Sequence, residues 1–326
     1  MPNLPLHRRC LVAGAVLLGL CAGLHAQELP AGKTIRIEVI TSPGGSADFA
    51  ARLIAEKLQT RLKRSVIVEN RVGAGGNLAT EFVAKAEPDG STLLLTSNNH
   101  NINPYLYKDT GYVAQRDFAA VAQVSRGPSV LVVNPKLPVR TLAEFVAYGK
   151  AHPKTLFYAT YGRGSAAQLA GEMLKAASGV DMDHVAYKGA APAMTDVMGG
   201  QVPAGILSLF SVSAHIKSGA LRPIAVFSRE RSAAFPDVPT AVESGYPSVS
   251  YDIWLGILAP KATPAATVQM LNREIRSILT QKDASEKLQG LAMTPVDEPP
   301  AAFESFLKSE TATIQDIVTR ARIEAE

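Results

Sequence analysis

The chain has 326 residues, with 33 Lys and Arg against 29 Asp and Glu, a small positive balance with no basic stripe of the kind that suits a nucleic acid. Both cysteines, Cys10 and Cys21, lie near the N-terminus, so a chain trimmed there carries no disulfide, thiolate nucleophile or cysteine-ligated metal. What remains is long enough for two domains or one large one, held by apolar burial alone.

The first 26 residues read as a signal peptide. Arg8 and Arg9 are basic, Leu11–Leu24 is an uncharged apolar run, and Leu24-His25-Ala26 ends in a small residue. That run of 14 residues is shorter than the roughly 20 a spanning helix needs. The expected product is therefore exported, cleaved near Ala26, and soluble from about Gln27. Arg8-Arg9 leaves Sec and twin-arginine export both open. Leu20 is bulky for a lipoprotein site at Cys21. Losing Arg8 and Arg9 leaves 31 basic residues against the same 29 acidic ones, about +2.

From there, short β-rich runs alternate with helical spacing. The runs are Ile35–Ile40, Val66–Glu69, Thr92–Thr96, Val130–Val133, Leu156–Ala159, His184–Tyr187, Ile206–Leu209, Pro223–Phe227 and Trp254–Leu258. Most are continuously apolar, as buried parallel strands are. In the helical stretch Ala47–Thr60, Ala47, Ala50, Ile54 and Leu58 share one face. Thr141 with Glu144 and Ser165 with Gln168 fit capping boxes, and Thr263-Pro264 places a capping residue before a proline at the first helical position. The alternation predicts α/β layers with largely parallel strands, without repeats or low-complexity segments.

Such layers bind ligands beyond the carboxyl ends of strands, near helix N-termini. Four loops meet that description. In Thr41-Ser42-Pro43-Gly44-Gly45-Ser46-Ala47-Asp48, glycines admit close approach, Ser46 can cap, and the helix start favours an anion. Ser97-Asn98-Asn99 is dense in hydrogen-bonding groups. Gly162-Arg163-Gly164-Ser165-Ala166 adds a guanidinium suited to a carboxylate, though a loop arginine is commonly just solvated. Tyr187-Lys188 offers a wall and a cation, with a core tyrosine beside a solvated lysine as the alternative. Each is equally compatible with an ordinary βα turn.

Templates for catalysis and metals fit poorly. His100, His152, His184 and His215 are widely spaced, with no metal-binding pattern and no cysteine partner. Asp48 stands where a hydrolase elbow needs its last glycine, and Gly73-Ala-Gly-Gly-Asn77 lacks the third glycine of a dinucleotide fingerprint. No cofactor or metal is implied. One enzyme alternative stays open, a serine hydrolase pairing Ser46 or Ser165 with a histidine.

The chain resembles the Bug family, the extracytoplasmic receptors of tripartite tricarboxylate (TctC-like) transport. The matching residues run in order through Pro43–Asp48 with Ala51-Arg52, Val68–Asn77, Pro88–Gly90, Asn101–Pro104 with Leu106–Lys108, and Gly162–Ser165 with Leu169–Glu172. They continue through Tyr187–Ala190, Gly199–Val202, Phe235–Thr240, Trp254 and Leu258–Pro260. The resemblance implies a two-lobed type II periplasmic-binding-protein fold with the ligand between lobes. Lobe one takes 27–128 with 253–326, and lobe two takes 129–252. It implies a periplasmic, monomeric, non-catalytic receptor that captures a small carboxylate or dicarboxylate, aliphatic or aromatic, for a transporter or sensor. By the same resemblance Gly44, Gly45, Ser46 and Asp48 form the first ligand loop, and Gly164 and Ser165 the facing one. Two departures stand out: Thr41-Ser42 replaces a Phe-Pro pair of many relatives, and Ser208-Leu-Phe-Ser211 occupies a stretch where relatives often carry an Asp. The lost Asp makes an amino-acid ligand less expected.

Overall fold

In the computed structural model, which describes residues 29–30 and 32–321, each apolar run becomes a strand, and the signal segment lies outside the described residues. The strands are β1 (Ile35–Val39), β2 (Val66–Asn70), β3 (Thr92–Ser97), β4 (Phe118–Val133), β5 (Phe157–Thr160), β6 (Asp183–Ala186), β7 (Ala204–Ser208), β8 (Arg222–Val226), β9 (Asp252–Pro260) and the short β10 (Thr294–Pro295). Between them run α1 (Ser46–Leu62), α2 (Asn77–Ala84), α3 (Asn99–Leu106), α4 (Leu142–Ala151), α5 (Ala166–Ser178), α6 (Ala190–Gly199), α7 (Leu209–Lys217), α8 (Ala265–Leu279), α9 (Lys282–Gln289) and α10 (Pro300–Ala321). The face expected of α1 is the one that packs: Ala47, Ala50, Ile54 and Leu58 are all buried.

The strands form two sheets that share one strand. The first has the order β2-β1-β3-β9-β4, the second β4-β7-β5-β6, with β8 also on β4. β4 pairs with β9 from Phe118 to Pro128, then with β7 from Ser129 to Val133. The chain returns beside this crossing, where the Phe227 amide donates to the Ser129 carbonyl (2.9 Å) and the Tyr251 amide to the Phe227 carbonyl (2.8 Å). The result is two α/β lobes joined by two neighbouring crossings.

The parallel expectation holds at β1 with β2 and β3, and at β5 with β6 and β7. It fails at the shared strands: β9 runs antiparallel to β3 and β4, and β4 antiparallel to β7 and β8. A continuous apolar run reports burial on both faces and says nothing of direction.

Each lobe has its own core. Ile37, Ile54, Leu95, Ile257 and Leu271 centre the first; Phe145, Tyr158, Leu174, Ile206 and Phe227 centre the second. A further cluster joins them, with Ile102 and Leu106 of α3, Ala166 and Leu169 of α5, and Ile314 and Ile317 of α10. Both capping boxes form in altered geometry. Thr141 and Ser165 accept from the amides of Glu144 (3.1 Å) and Gln168 (3.3 Å), while the returning side chains take the amides of Arg140 and Gly164, one residue earlier than the cap. At α8 the expectation shifts by one: Pro264 is itself the N-cap, and the Thr263 hydroxyl is buried without a partner.

Candidate functional site

The first loop is built around Asp48. Its carboxylate accepts from the Gly44 amide (3.0 Å), from Arg52 Nε (3.0 and 3.1 Å) and from Asn70 Nδ2 (3.0 Å), and Asn70 also ties the Thr41 carbonyl (2.9 Å). Burial pushes the Asp48 pKa up, but these bonds together outweigh it and hold the group below its ordinary value. Asp48 therefore braces the loop from below. Gly44, at φ +86°, takes a turn that favours glycine. The N-cap of α1 is Gly45, and no side chain caps it; Ser46, expected as a cap, is the first helical residue. The helix thus begins with backbone donors that no side chain satisfies. Ser42 and Gly44 are exposed, and the Thr41 hydroxyl is buried without a partner.

The second loop follows β3. Ser97 Oγ donates to Asn99 Oδ1 (3.0 Å), and Asn99 Nδ2 reaches the Gly164 carbonyl of the other lobe (3.3 Å). Asn98 faces the opposite way, into the protein. It donates to the Asp252 carbonyl (3.1 Å) and Glu310 Oε1 (2.8 Å) and accepts from the Trp254 amide (3.2 Å).

In lobe two, the Gly162 and Tyr187 loops lie side by side. The Gly189 amide donates to the Tyr161 carbonyl (3.1 Å), and a Cβ on Gly162 would stand 3.7 Å from the Tyr187 carbonyl. Gly164 (φ +71°) is held against lobe one, where a Cβ would meet Leu106 Cδ1 at 2.9 Å and Asn103 Oδ1 at 3.0 Å. Ser165 caps α5, and Ala166 is buried in the cluster that joins the lobes. The Tyr187 hydroxyl donates to Asp196 (2.6 Å); burial and then this bond raise its pKa to about 12. Lys188 is exposed. Arg163 helps hold the His184 pKa near 4, an effect led by burial. Ser208 is the N-cap of α7, without a side-chain cap bond, and lies opposite Ser129, whose buried hydroxyl has no partner.

These positions fall into two groups. Asn99 and Gly164 meet across the two lobes, while Gly44, Gly45, Ser46 and Gly162 lie in the loops that follow β1 and β5. Asp48, Asn98, Ser165 and the Tyr187 hydroxyl are committed to bonds that shape those loops. Sequence reasoning missed Asn70, which stood inside the recognised Val68–Asn77 stretch, and Glu310. Glu310 accepts from Asn98, Tyr251 (2.8 Å) and Trp254 Nε1 (2.7 Å) at one oxygen and from Asn101 (2.8 Å) at the other. No local pattern marks it, because its partners are about 60 to 200 positions away.

A serine hydrolase needs a histidine ring on Ser46 or Ser165. Among the described residues, His100 bonds the Ala114 carbonyl (3.2 Å), His152 the Tyr148 carbonyl (2.9 Å) and His184 the Thr160 hydroxyl (2.7 Å), and His215 lies in the last turn of α7. The hydrolase reading is not supported.

The profile of the tripartite tricarboxylate transporter family receptor matches residues 50–322. Protein BugT of Bordetella pertussis is 37% identical over 294 residues, covering 90% of this chain and 90% of that protein. Two solved structures from Rhodopseudomonas palustris are each 30% identical. Rpa4515 with adipate superposes with a TM-score of 0.87, covering 92% of this chain and all of that one; MatC with bound malate gives 0.82, covering 89% and 99%. The likeness extends over both lobes.

Proposed function

We propose a function for this chain from one premise: it belongs to the tripartite tricarboxylate transporter receptor family. It is a two-lobed solute receptor whose cleft captures a small carboxylate or dicarboxylate, aliphatic or aromatic, and presents it to a membrane transporter or a sensor. It catalyses no reaction. It works as a monomer in the periplasm, after removal of a signal peptide near Ala26.

The observation that carries this reading is an uncapped helix start after β1, next to the loop of the neighbouring parallel strand β3, whose Asn99 bonds Gly164 of the other lobe. The backbone donors at Gly45–Ala47 are oriented and partly positive, which favours an anion. Asn99 and Gly164 already touch across the gap. Contacts from both lobes exist together only when the lobes are closed, so a ligand that uses both stabilises that state. The ligand group comprises Thr41, Ser42, Gly44–Ser46 and Asp48, Ser97–Asn99, Gly162–Ala166, Tyr187-Lys188 and Ser208. Within it Asp48, Asn98 and Ser165 act by holding the loops. Lobe one comprises 27–128 and 253–326, and lobe two 129–252. The carboxylates named for the two solved relatives, adipate and malate, support this ligand class.

A thermal-shift screen of the mature protein against mono- and dicarboxylates, with amino acids and sugars as controls, tests it. A ligand that binds only the folded state raises the melting temperature with concentration. A dose-dependent rise with carboxylates alone is expected; shifts with neutral solutes alone refute the anion cradle.

A further inference from the structure

Phe49 and Phe210 form a contact that the loop motifs do not explain. Phe49 lies three residues after Ser46, on the same side of α1, and Phe210 is the second residue of α7, two after Ser208. Their ring centroids are 6.0 Å apart with planes tilted by 44°. One helix belongs to each lobe, so this ring pair bridges them. Both rings are partly buried, and both pack on the edge of the lobe-one core. The starts of α1 and α7 both lack a side-chain cap. The ring pair thus stands in the first turn of each helix, beside backbone donors that no side chain caps.

Resting on the carboxylate reading above, we infer that Phe49 and Phe210 make the cleft selective for acids with an apolar body, either an aromatic ring or an unbroken chain of methylenes, over short hydroxylated diacids. The preference is set by the part of the ligand beyond its first carboxylate. A carboxylate held at the start of α1 directs the next atoms of the ligand along the first turn, toward the rings. Methylenes or a ring laid there lose only apolar surface to water, which strengthens binding about fourfold for each buried methylene. A hydroxyl at the same place is stripped of water against two faces that offer no strong acceptor, and an unpaired buried hydroxyl is disfavoured. Ligand aromatic rings gain further from tilted contact with Phe faces.

The test is calorimetric titration of the mature protein with succinate, glutarate, adipate, malate, tartrate, benzoate and phenylacetate. It is repeated for Phe210→Ala and Phe210→Leu, with circular dichroism to verify folding. Affinity is expected to rise on the order of tenfold from succinate to adipate and to fall from succinate through malate to tartrate. Phe210→Ala should flatten the chain-length series, weakening adipate more than succinate. Phe210→Leu, which keeps apolar surface but no ring, should retain the alkyl series and weaken the aromatic acids. Malate or tartrate binding more tightly than adipate, or Phe210→Ala weakening all acids equally, overturns the inference while leaving the receptor reading intact. Binding of no carboxylate at all removes the receptor reading and this inference with it.

Discussion

Replacing Glu310 with alanine removes the acceptor of four hydrogen bonds, yet the four donors do not lose equally. Asn98 Nδ2 keeps the Asp252 carbonyl at 3.1 Å, and Asn101 Nδ2 keeps the Leu307 carbonyl at 3.0 Å. The Tyr251 hydroxyl and the Trp254 Nε1–H are left buried with no acceptor. At about 1–3 kcal/mol for each orphaned donor, Glu310→Ala should destabilise by about 2–6 kcal/mol. Glu310→Gln keeps one carbonyl oxygen but turns an amide donor toward Asn101. Asn101 cannot flip to accept it without losing Leu307 and the bond its Oδ1 receives from Gln115 (3.1 Å). The glutamine variant should therefore lose less, about 1–3 kcal/mol.

The sign of the pH dependence comes from burial, which raises the Glu310 pKa above its ordinary 4.5 against the pull of its donors. The folded protein holds this proton where the unfolded chain has released it. The stability from Glu310 is thus full below the unfolded pKa and falls as pH rises toward the folded one. The glutamine penalty should shrink over that window. Urea unfolding followed by tryptophan fluorescence reads this directly, because Trp254 is the single tryptophan and donates to Glu310. An alanine variant as stable as wild type, or a glutamine penalty that grows with pH, would overturn this account of Glu310.

Two further outcomes are expected. Gly164→Ala sets a methyl 2.9 Å from Leu106 and 3.0 Å from Asn103, wedging the lobes apart. Ligand affinity should fall about tenfold or more, since overpacking costs about 1–3 kcal/mol. Gly179→Ala, at φ +65° with open space around the new methyl, should leave affinity unchanged; titration of both variants separates wedge from strain. Asp252→Asn addresses a carboxyl at the second crossing whose pKa burial lifts from 3.8 to about 6, against Arg126 and Arg229. Such a rise equals about 3 kcal/mol at full burial and about 1–2 kcal/mol for this partly exposed side chain. The asparagine variant should be more stable than wild type by that amount at pH 7.5 and nearly equal to it at pH 4. Denaturant midpoints at the two pH values check this.

The sequence pattern exposed the repeating β–α units because apolar runs and capping residues are local signals. It exposed only Val130–Val133 of β4, since Gln123, Ser125, Arg126, Gly127 and Pro128 look like a turn. In the fold Gln123 and Ser125 are buried within a strand that two sheets share. The glycine loops were visible because close approach needs particular residues at particular spacings. Their supports were not. Glu310 meets Asn98 across 212 positions, and Phe49 meets Phe210 only through the approach of two lobes.

The position of β9 has a bearing on how the chain acquires its shape. It lies between β3 and β4, yet Trp254 is 156 positions beyond the Asn98 whose side chain accepts its amide. A chain emerging from its N-terminus completes β1, β2, β3 and the entire second lobe before the strand that closes the first sheet arrives. Until then β3 and β4 present facing open edges, the kind of surface that recruits other chains. Closing them needs pairing between distant segments, which is slow. The first lobe to be synthesised is therefore the last to be finished, and a partner that keeps the emerging chain extended until residue 260 is free would protect both edges from wrong pairing.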